Sequence, residues 1–247
     1  APVLRIVLFD IDGTLVDTGG AGRRALVSAL THCLERPVAD PVTADFAGRT
    51  DQAILRTLLE RAGVRDPDPS FRERIYTTYV ERLETELATA DSMRVYPGVP
   101  ALLERLSADP ETRIGLLTGN LEAGARSKLG HFDLMRFFPF GAYGSDEEDR
   151  DRLVPVALLR AAEIEGTPLS NARVVVVGDT PLDIRCARAG AAKVIAVATG
   201  LFDVATLEKH EPDVLLPDLS DTATVLEHVR GLTDPRPGDP PTPRTAP

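Results

Sequence analysis

A chain of 247 residues, 43% hydrophobic and 27% charged, suffices for one large domain or two smaller ones with a buried core and a solvated surface. Its net charge of −10 disfavours nucleic acid or an anionic membrane surface as a partner. No apolar run approaches the ~20 residues that span a bilayer, and no charged-then-apolar segment opens the chain, so the expectation is a cytoplasmic protein.

The first element is read from residues 4–18, LRIVLFDIDGTLVDT. Leu4, Ile6, Val7, Leu8 and Phe9 form the near-continuous apolar run of a strand buried on both faces, the pattern of a parallel sheet. The run ends in Asp10 and Asp12, and Gly13 permits a tight turn. Open α/β sheets place their ligands at this end of a strand, and two carboxylates there call for a cation.

Helical spacing follows over residues 22–35 and 51–62, with Gly63 as a stop. Ser70 and Glu73 read as a capping box opening a helix to about residue 89. Roughly a hundred residues thus separate the first strand from the second, where a βα connection ordinarily has ~2–6 residues plus one helix. The spacing predicts an all-helical insertion, 18–93, tethered above the strand end as a cap.

Beyond the Tyr96-Pro97-Gly98 turn, strands and helices alternate. A helix at Val99–Leu106 precedes a strand at Arg113–Leu117, which ends in Thr118-Gly119-Asn120. Then come a helix at 121–130, a short strand near Phe138–Tyr143 and a helix at 152–165. The strand Val174–Val177 ends in Gly178-Asp179, and a helix at 181–189 follows. Strands at Ala192–Val197 and Val214–Leu216 and a helix at 220–230 complete the pattern. The series predicts a doubly wound, mostly parallel α/β sheet built from 1–17 and 94–232. Residues 233–247 are Pro-rich and aperiodic, as a disordered tail is.

Three strand ends therefore carry polar residues in register: Asp10 and Asp12, Thr118 to Asn120, and Asp179 with Asp183 one helical turn on. Asp10, Asp12 and Asp179 make an oxygen-rich pocket suited to Mg²⁺. The turn after Thr118 offers backbone N–H groups to an anion. Cys33 and Cys186 lie far apart, outside any C-x-x-C, and read as reduced thiols. His32, His131, His210 and His228 form no ligand spacing.

DIDGTLVDT at 10–18, the strand-end Thr118 and GDTPLD at 178–183 resemble the haloacid dehalogenase-like hydrolase superfamily. The resemblance covers about residues 3–230, and the insertion is similar to the helical cap of its phosphoglycolate phosphatase and β-phosphoglucomutase relatives. It implies a Rossmann-like core in which Asp10 attacks phosphorus and Asp12 is the acid and base. It implies that Mg²⁺ binds Asp10, Asp179 and the backbone carbonyl of Asp12, that Asp183 holds a metal-bound water, and that Thr118, with Gly119 and Asn120 behind it, receives the phosphoryl group. Relatives carry a Lys before the helix after the third strand. Here GSDEEDRDRLVPVAL has none, and either Arg150 or Arg152 takes its place, Arg150 being preferred. Arg49, in the loop Gly48-Arg49-Thr50-Asp51, is expected to meet an anionic part of the substrate.

The function expected is a Mg²⁺-dependent phosphatase of a small phosphorylated metabolite, from a monomer or homodimer. A β-phosphoglucomutase-like mutase and a non-catalytic phospho-ligand-binding protein are the alternatives. Asp12 stands against a 2-haloacid dehalogenase, which lacks the second acid. The absence of Lys from Gly19 to Met93 stands against a phosphonatase, which needs a cap Lys.

Overall fold

The computed structural model describes residues 4–39, 45–169 and 173–234. The elements run β1 (Arg5–Phe9), β2 (Val16–Asp17), α1 (Ala21–Leu34), α2 (Asp51–Arg61), α3 (Pro69–Thr89), β3 (Arg94–Val95), α4 (Val99–Ser107), β4 (Thr112–Leu117) and α5 (Glu122–His131). They continue with β5 (Gly141–Ala142), α6 (Leu153–Glu165), β6 (Val174–Gly178), α7 (Pro181–Ala189), β7 (Lys193–Val197), α8 (Val204–Glu208), β8 (Val214–Leu216) and α9 (Thr222–Thr233).

Six strands form one parallel sheet in the order β5-β4-β1-β6-β7-β8, so β1 lies between β4 and β6. Alternate residues of each strand enter opposite layers, as the two-residue period of a strand requires. Val7, Phe9, Leu116, Val175 and Ile195 pack under α4, α5 and α9. Ile6, Leu8, Leu117, Val176 and Val194 pack under α6 and α7. This double burial explains why β1 after Arg5, and β6 throughout, carry no polar residue before their carboxyl ends.

The helices of the insertion close a third cluster. Ala25, Leu26 and Leu30 of α1, Leu55 and Leu59 of α2, and Ile75, Tyr79 and Leu83 of α3 face one another. At its base β2 and β3 pair antiparallel, with Val16 opposite Val95, a ribbon too short to show as a sequence period. Asp17 and Arg94 pair across it at 3.4 Å.

Local chemistry moved several boundaries. Helix α3 opens two residues earlier than a Ser70 cap would place it. Asp68 is the cap, accepting the Ser70 N–H at 2.7 Å, and Pro69 supplies a preset first-turn φ. Helix α9 runs on to Thr233, whose hydroxyl bonds back to the Val229 carbonyl at 2.7 Å. The aromatic turn yields only the two-residue β5, and α8 has too few residues to show a period. The Pro-rich stretch beyond Asp234 lies outside the described residues.

Candidate active site

Because β4, β1 and β6 are adjacent and parallel, Thr118, Asp10 and Asp179 leave the sheet at one edge. The loop after β1 turns at Gly13, whose φ of +81° puts it in the left-handed region. A Cβ there would stand 2.2 Å from Asp179 Oδ2, so glycine is what lets the two loops touch. The Thr14 hydroxyl donates to Asp179 Oδ1 at 3.1 Å and fixes that carboxylate. Asp183 enters from the first turn of α7, where a reciprocal capping box holds it: Thr180 N–H and hydroxyl donate to its Oδ2 at 3.0 and 2.7 Å.

Asp10, Asp179 and Asp183 are all buried, and each offers an oxygen within 4.8 Å of the others. Burial raises the Asp10 carboxyl to about 6 against the pull of Arg150, with Asp183 and Asp12 adding to the rise. Burial, Asp183 and Asp10 push Asp179 well above the usual carboxylate range. Three buried carboxyls this close, with Asp10 and Asp179 held above the usual range, are the oxygen donor set that a hard divalent cation takes, so these residues fit Mg²⁺.

Arg150 stands among them, 4% exposed, in a single 3₁₀ turn capped by Asp149. Its Nη2 lies 3.1 Å from Asp10 Oδ2, pairs with Asp183 Oδ1 and faces the Leu117 carbonyl at 3.4 Å. Its Nη1 donates to the Gly48 carbonyl at 2.9 Å, and its buried Nε has no partner among the described residues. Burial works against its charge, but Asp10 and Asp183 outweigh that and hold it above the usual arginine value. Arg152 is placed differently: it is exposed and pairs with Glu147 at 3.4 Å, outside the crevice. Two residues along the 3₁₀ turn and the start of α6 rotate its side chain to the solvent face.

Asp12 has other company. Its Oδ2 accepts from Asn120 Nδ2 at 2.8 Å and from Lys128 Nζ at 2.6 Å. Lys128 also donates to Asn120 Oδ1 at 2.6 Å, which closes the triangle. Thr118 Oγ1 accepts the Asn120 side-chain amide at 2.8 Å, and its own proton stays available toward the cavity. The sequence reading missed Lys128, which lies inside α5 and 4% exposed. A signal existed: it is one of three lysines in a chain whose other 25 basic residues are arginine, and it sits on the buried face of α5 with Ala125 and Leu129.

The loop before α2 presses onto this edge from the insertion. Thr50 caps α2 by accepting the Ala53 N–H at 3.2 Å and donates to the Glu148 carbonyl at 2.6 Å. Asp51 N–H donates to the Gly119 carbonyl at 2.7 Å, and Asp51 Oδ2 accepts the Leu121 N–H at 2.8 Å. A Cβ on Gly119 would lie 2.2 Å from the Arg49 carbonyl, so only glycine admits the loop this closely. Burial lifts the Asp51 carboxyl to about 6, with Lys128 opposing the rise. Arg49 lines the cavity, but its Nη2 is held by the Ala53 carbonyl at 3.2 Å and the Thr57 hydroxyl at 3.1 Å. Between loop and sheet edge lies a cavity of about 280 Å³ bordered by Asp10, Asp12, Asp51, Tyr79, Thr118 and Lys128. Its size suits a small molecule, not a macromolecule.

Comparison with known proteins agrees with this geometry. Residues 7–197 match the haloacid dehalogenase-like hydrolase family. The chain is 31% identical over 227 residues to a phosphoglycolate phosphatase of Agrobacterium fabrum, covering 89% of this chain and 91% of that one. It is 27% identical to the phosphoglycolate phosphatase of Aquifex aeolicus, covering 91% and 98%. Its fold superposes on CbbY from Rhodobacter sphaeroides in complex with phosphate with a TM-score of 0.70, at 19% identity, over 89% of this chain and 96% of that one. With a family match over most of its length and a parallel sheet that gathers the family's acids at one edge, this chain belongs to the haloacid dehalogenase-like hydrolases.

Proposed function

We propose that this enzyme is a Mg²⁺-dependent phosphatase that hydrolyses small phosphate monoesters through an aspartyl-phosphate. The observation that carries the reading is the unlike pair Asp10 and Asp12: one buried against Arg150, the other half-exposed and held by Lys128 and Asn120. Unlike environments for two neighbouring carboxyls separate the roles of nucleophile and acid. Asp10 attacks phosphorus as the bond to the ester oxygen breaks, and Asp12 gives its proton to that oxygen. Asp12 then takes a proton from the attacking water, the Asp10–phosphorus bond breaks, and inorganic phosphate leaves.

Thr118, with the backbone of Gly119 and Asn120, receives the phosphoryl oxygens, and Arg150 balances their charge. Asp10, Asp179, Asp183 and the backbone carbonyl of Asp12 would hold Mg²⁺, which supplies further neutralisation of the transferring group. Residues 18–93 act as a cap that excludes water from the substrate's other end. The relatives named phosphoglycolate phosphatase support the reaction class.

The test is phosphate release from a panel of monoesters with Mg²⁺ and with EDTA. Metal-dependent release by the wild type, reduced by more than about 10³-fold in Asp10→Asn, supports the reading. Release that survives in the mutant overturns it.

A further inference from the structure

Two polar groups reach the cavity from the insertion and have no part in the chemistry above. Asp51, which borders the cavity, uses Oδ2 to accept the Leu121 N–H, while its Oδ1 accepts no hydrogen bond among the described residues. Tyr79 of α3 is 2% exposed and borders the same space, and its hydroxyl has no hydrogen-bond partner among the described residues. Gly22 makes room for it: the point a Cβ would occupy there lies 3.1 Å from Lys128 Nζ and 3.6 Å from the Tyr79 hydroxyl. A carboxylate oxygen and a phenol that face a cavity with hydrogen-bonding capacity to spare are groups that a ligand can complete.

The cations nearby do not answer for an anion at that spot. Lys128 is committed to Asp12 and Asn120, Arg49 is tied along α2, and Arg23 is engaged as well. A second carboxylate or phosphate on the substrate would face Asp51. A hydroxyl would donate to Asp51 Oδ1 and pair with Tyr79.

We propose that Asp51 and Tyr79 form a specificity subsite for a hydroxyl on the leaving group, so that the substrates are monoesters of hydroxylated alcohols such as polyol and sugar phosphates. This rests on the phosphatase reading and names its substrate class. Asp51 and Tyr79 discriminate by leaving the wrong substrate with an unpaired or repelled group.

The test compares 2-hydroxyethyl phosphate with 2-phosphoglycolate, which differ only in carrying CH₂OH or carboxylate, and adds glycerol 3-phosphate. Wild-type enzyme should favour the hydroxylated esters by about tenfold or more in kcat/KM. Asp51→Asn keeps an oxygen for the Leu121 N–H and removes the charge, and it should bring the two series within about threefold of each other. Tyr79→Phe keeps the ring packing and should lower turnover of the hydroxylated esters while sparing 2-phosphoglycolate.

A wild type that prefers 2-phosphoglycolate overturns the proposal. So does an Asp51→Asn enzyme that loses the same factor on every ester, because a purely structural clasp behaves that way. If Asp51→Asn does not fold by circular dichroism, Tyr79→Phe decides, and an unchanged ratio overturns the proposal. No release from any ester by folded wild type with Mg²⁺ overturns the phosphatase reading, and the subsite with it.

Discussion

Asp10 and Asp12 are separated by one residue, yet one is buried on an arginine and the other half-exposed on a lysine. Lys128 acts through Asp12, holding its Oδ2 in a fixed direction together with Asn120. Lys128→Met should therefore lower kcat by about 10²-fold with little change in KM, as expected for loss of a transition-state proton transfer; equal losses in both would contradict it. Arg150 spans Gly48, Asp10 and Asp183 with one fork, a reach a lysine point charge lacks. Arg150→Lys should recover only part of the activity that Arg150→Ala loses, as steady-state kinetics would show. Asp51 makes a pH prediction. Its folded pKa of about 6 lies above the ordinary value of 3.8, so the fold favours the protonated form. The ionised group thus costs stability above about pH 6, and that cost disappears as the pH falls below about 4. Asp51→Asn should melt about 2–4 °C higher than wild type at pH 8, with the gain shrinking toward pH 4 in thermal scans.

At the scale of elements, the joint between insertion and sheet is made by a helix start. Thr50 caps α2 with one side of its hydroxyl and bonds the Glu148 carbonyl with the other. Arg56 of α2 reinforces the contact by reaching Glu148 Oε1 at 2.5 Å, although so exposed a pair contributes little. Thr50→Ala removes cap and contact together and should cost about 1–2 kcal/mol, seen as a drop of about 2–8 °C in melting temperature. The elements themselves were legible where the period was long. Helices α1, α2 and α7 fall within a residue of their expected spans because their apolar stripes and stops agree. The β2–β3 ribbon and α8 were not legible, since two to five residues carry no period and their partners are distant in sequence.

For the molecule as a whole, three buried acids gather at one sheet edge, where burial, Asp183 and Asp10 push the Asp179 carboxyl well above its usual range. A ligand that binds only the folded state at 100 times its Kd adds about 2.7 kcal/mol of stability. Mg²⁺ should accordingly raise the melting temperature of the wild type, and markedly less that of Asp179→Asn, in calorimetry with and without EDTA. An equal rise in both would take Asp179 out of the metal site.

The chain by itself determined the strand ends. Apolar runs stopping at Asp10, Thr118 and Asp179 fix which residues meet at a parallel sheet's carboxyl edge, because strand burial and parallel topology are written in local patterns. It also determined that something helical is inserted after the first strand. Only the tertiary structure placed Arg150 among the acids and Arg152 in solvent, since two residues on a 3₁₀ turn separate a buried side chain from a solvated one. Only it brought Lys128, Asp51 and Tyr79 to the cavity. Their contacts cross 116 residues from Lys128 to Asp12 and 70 from Leu121 to Asp51, and no local period encodes a pairing made by packing one layer of helices on another.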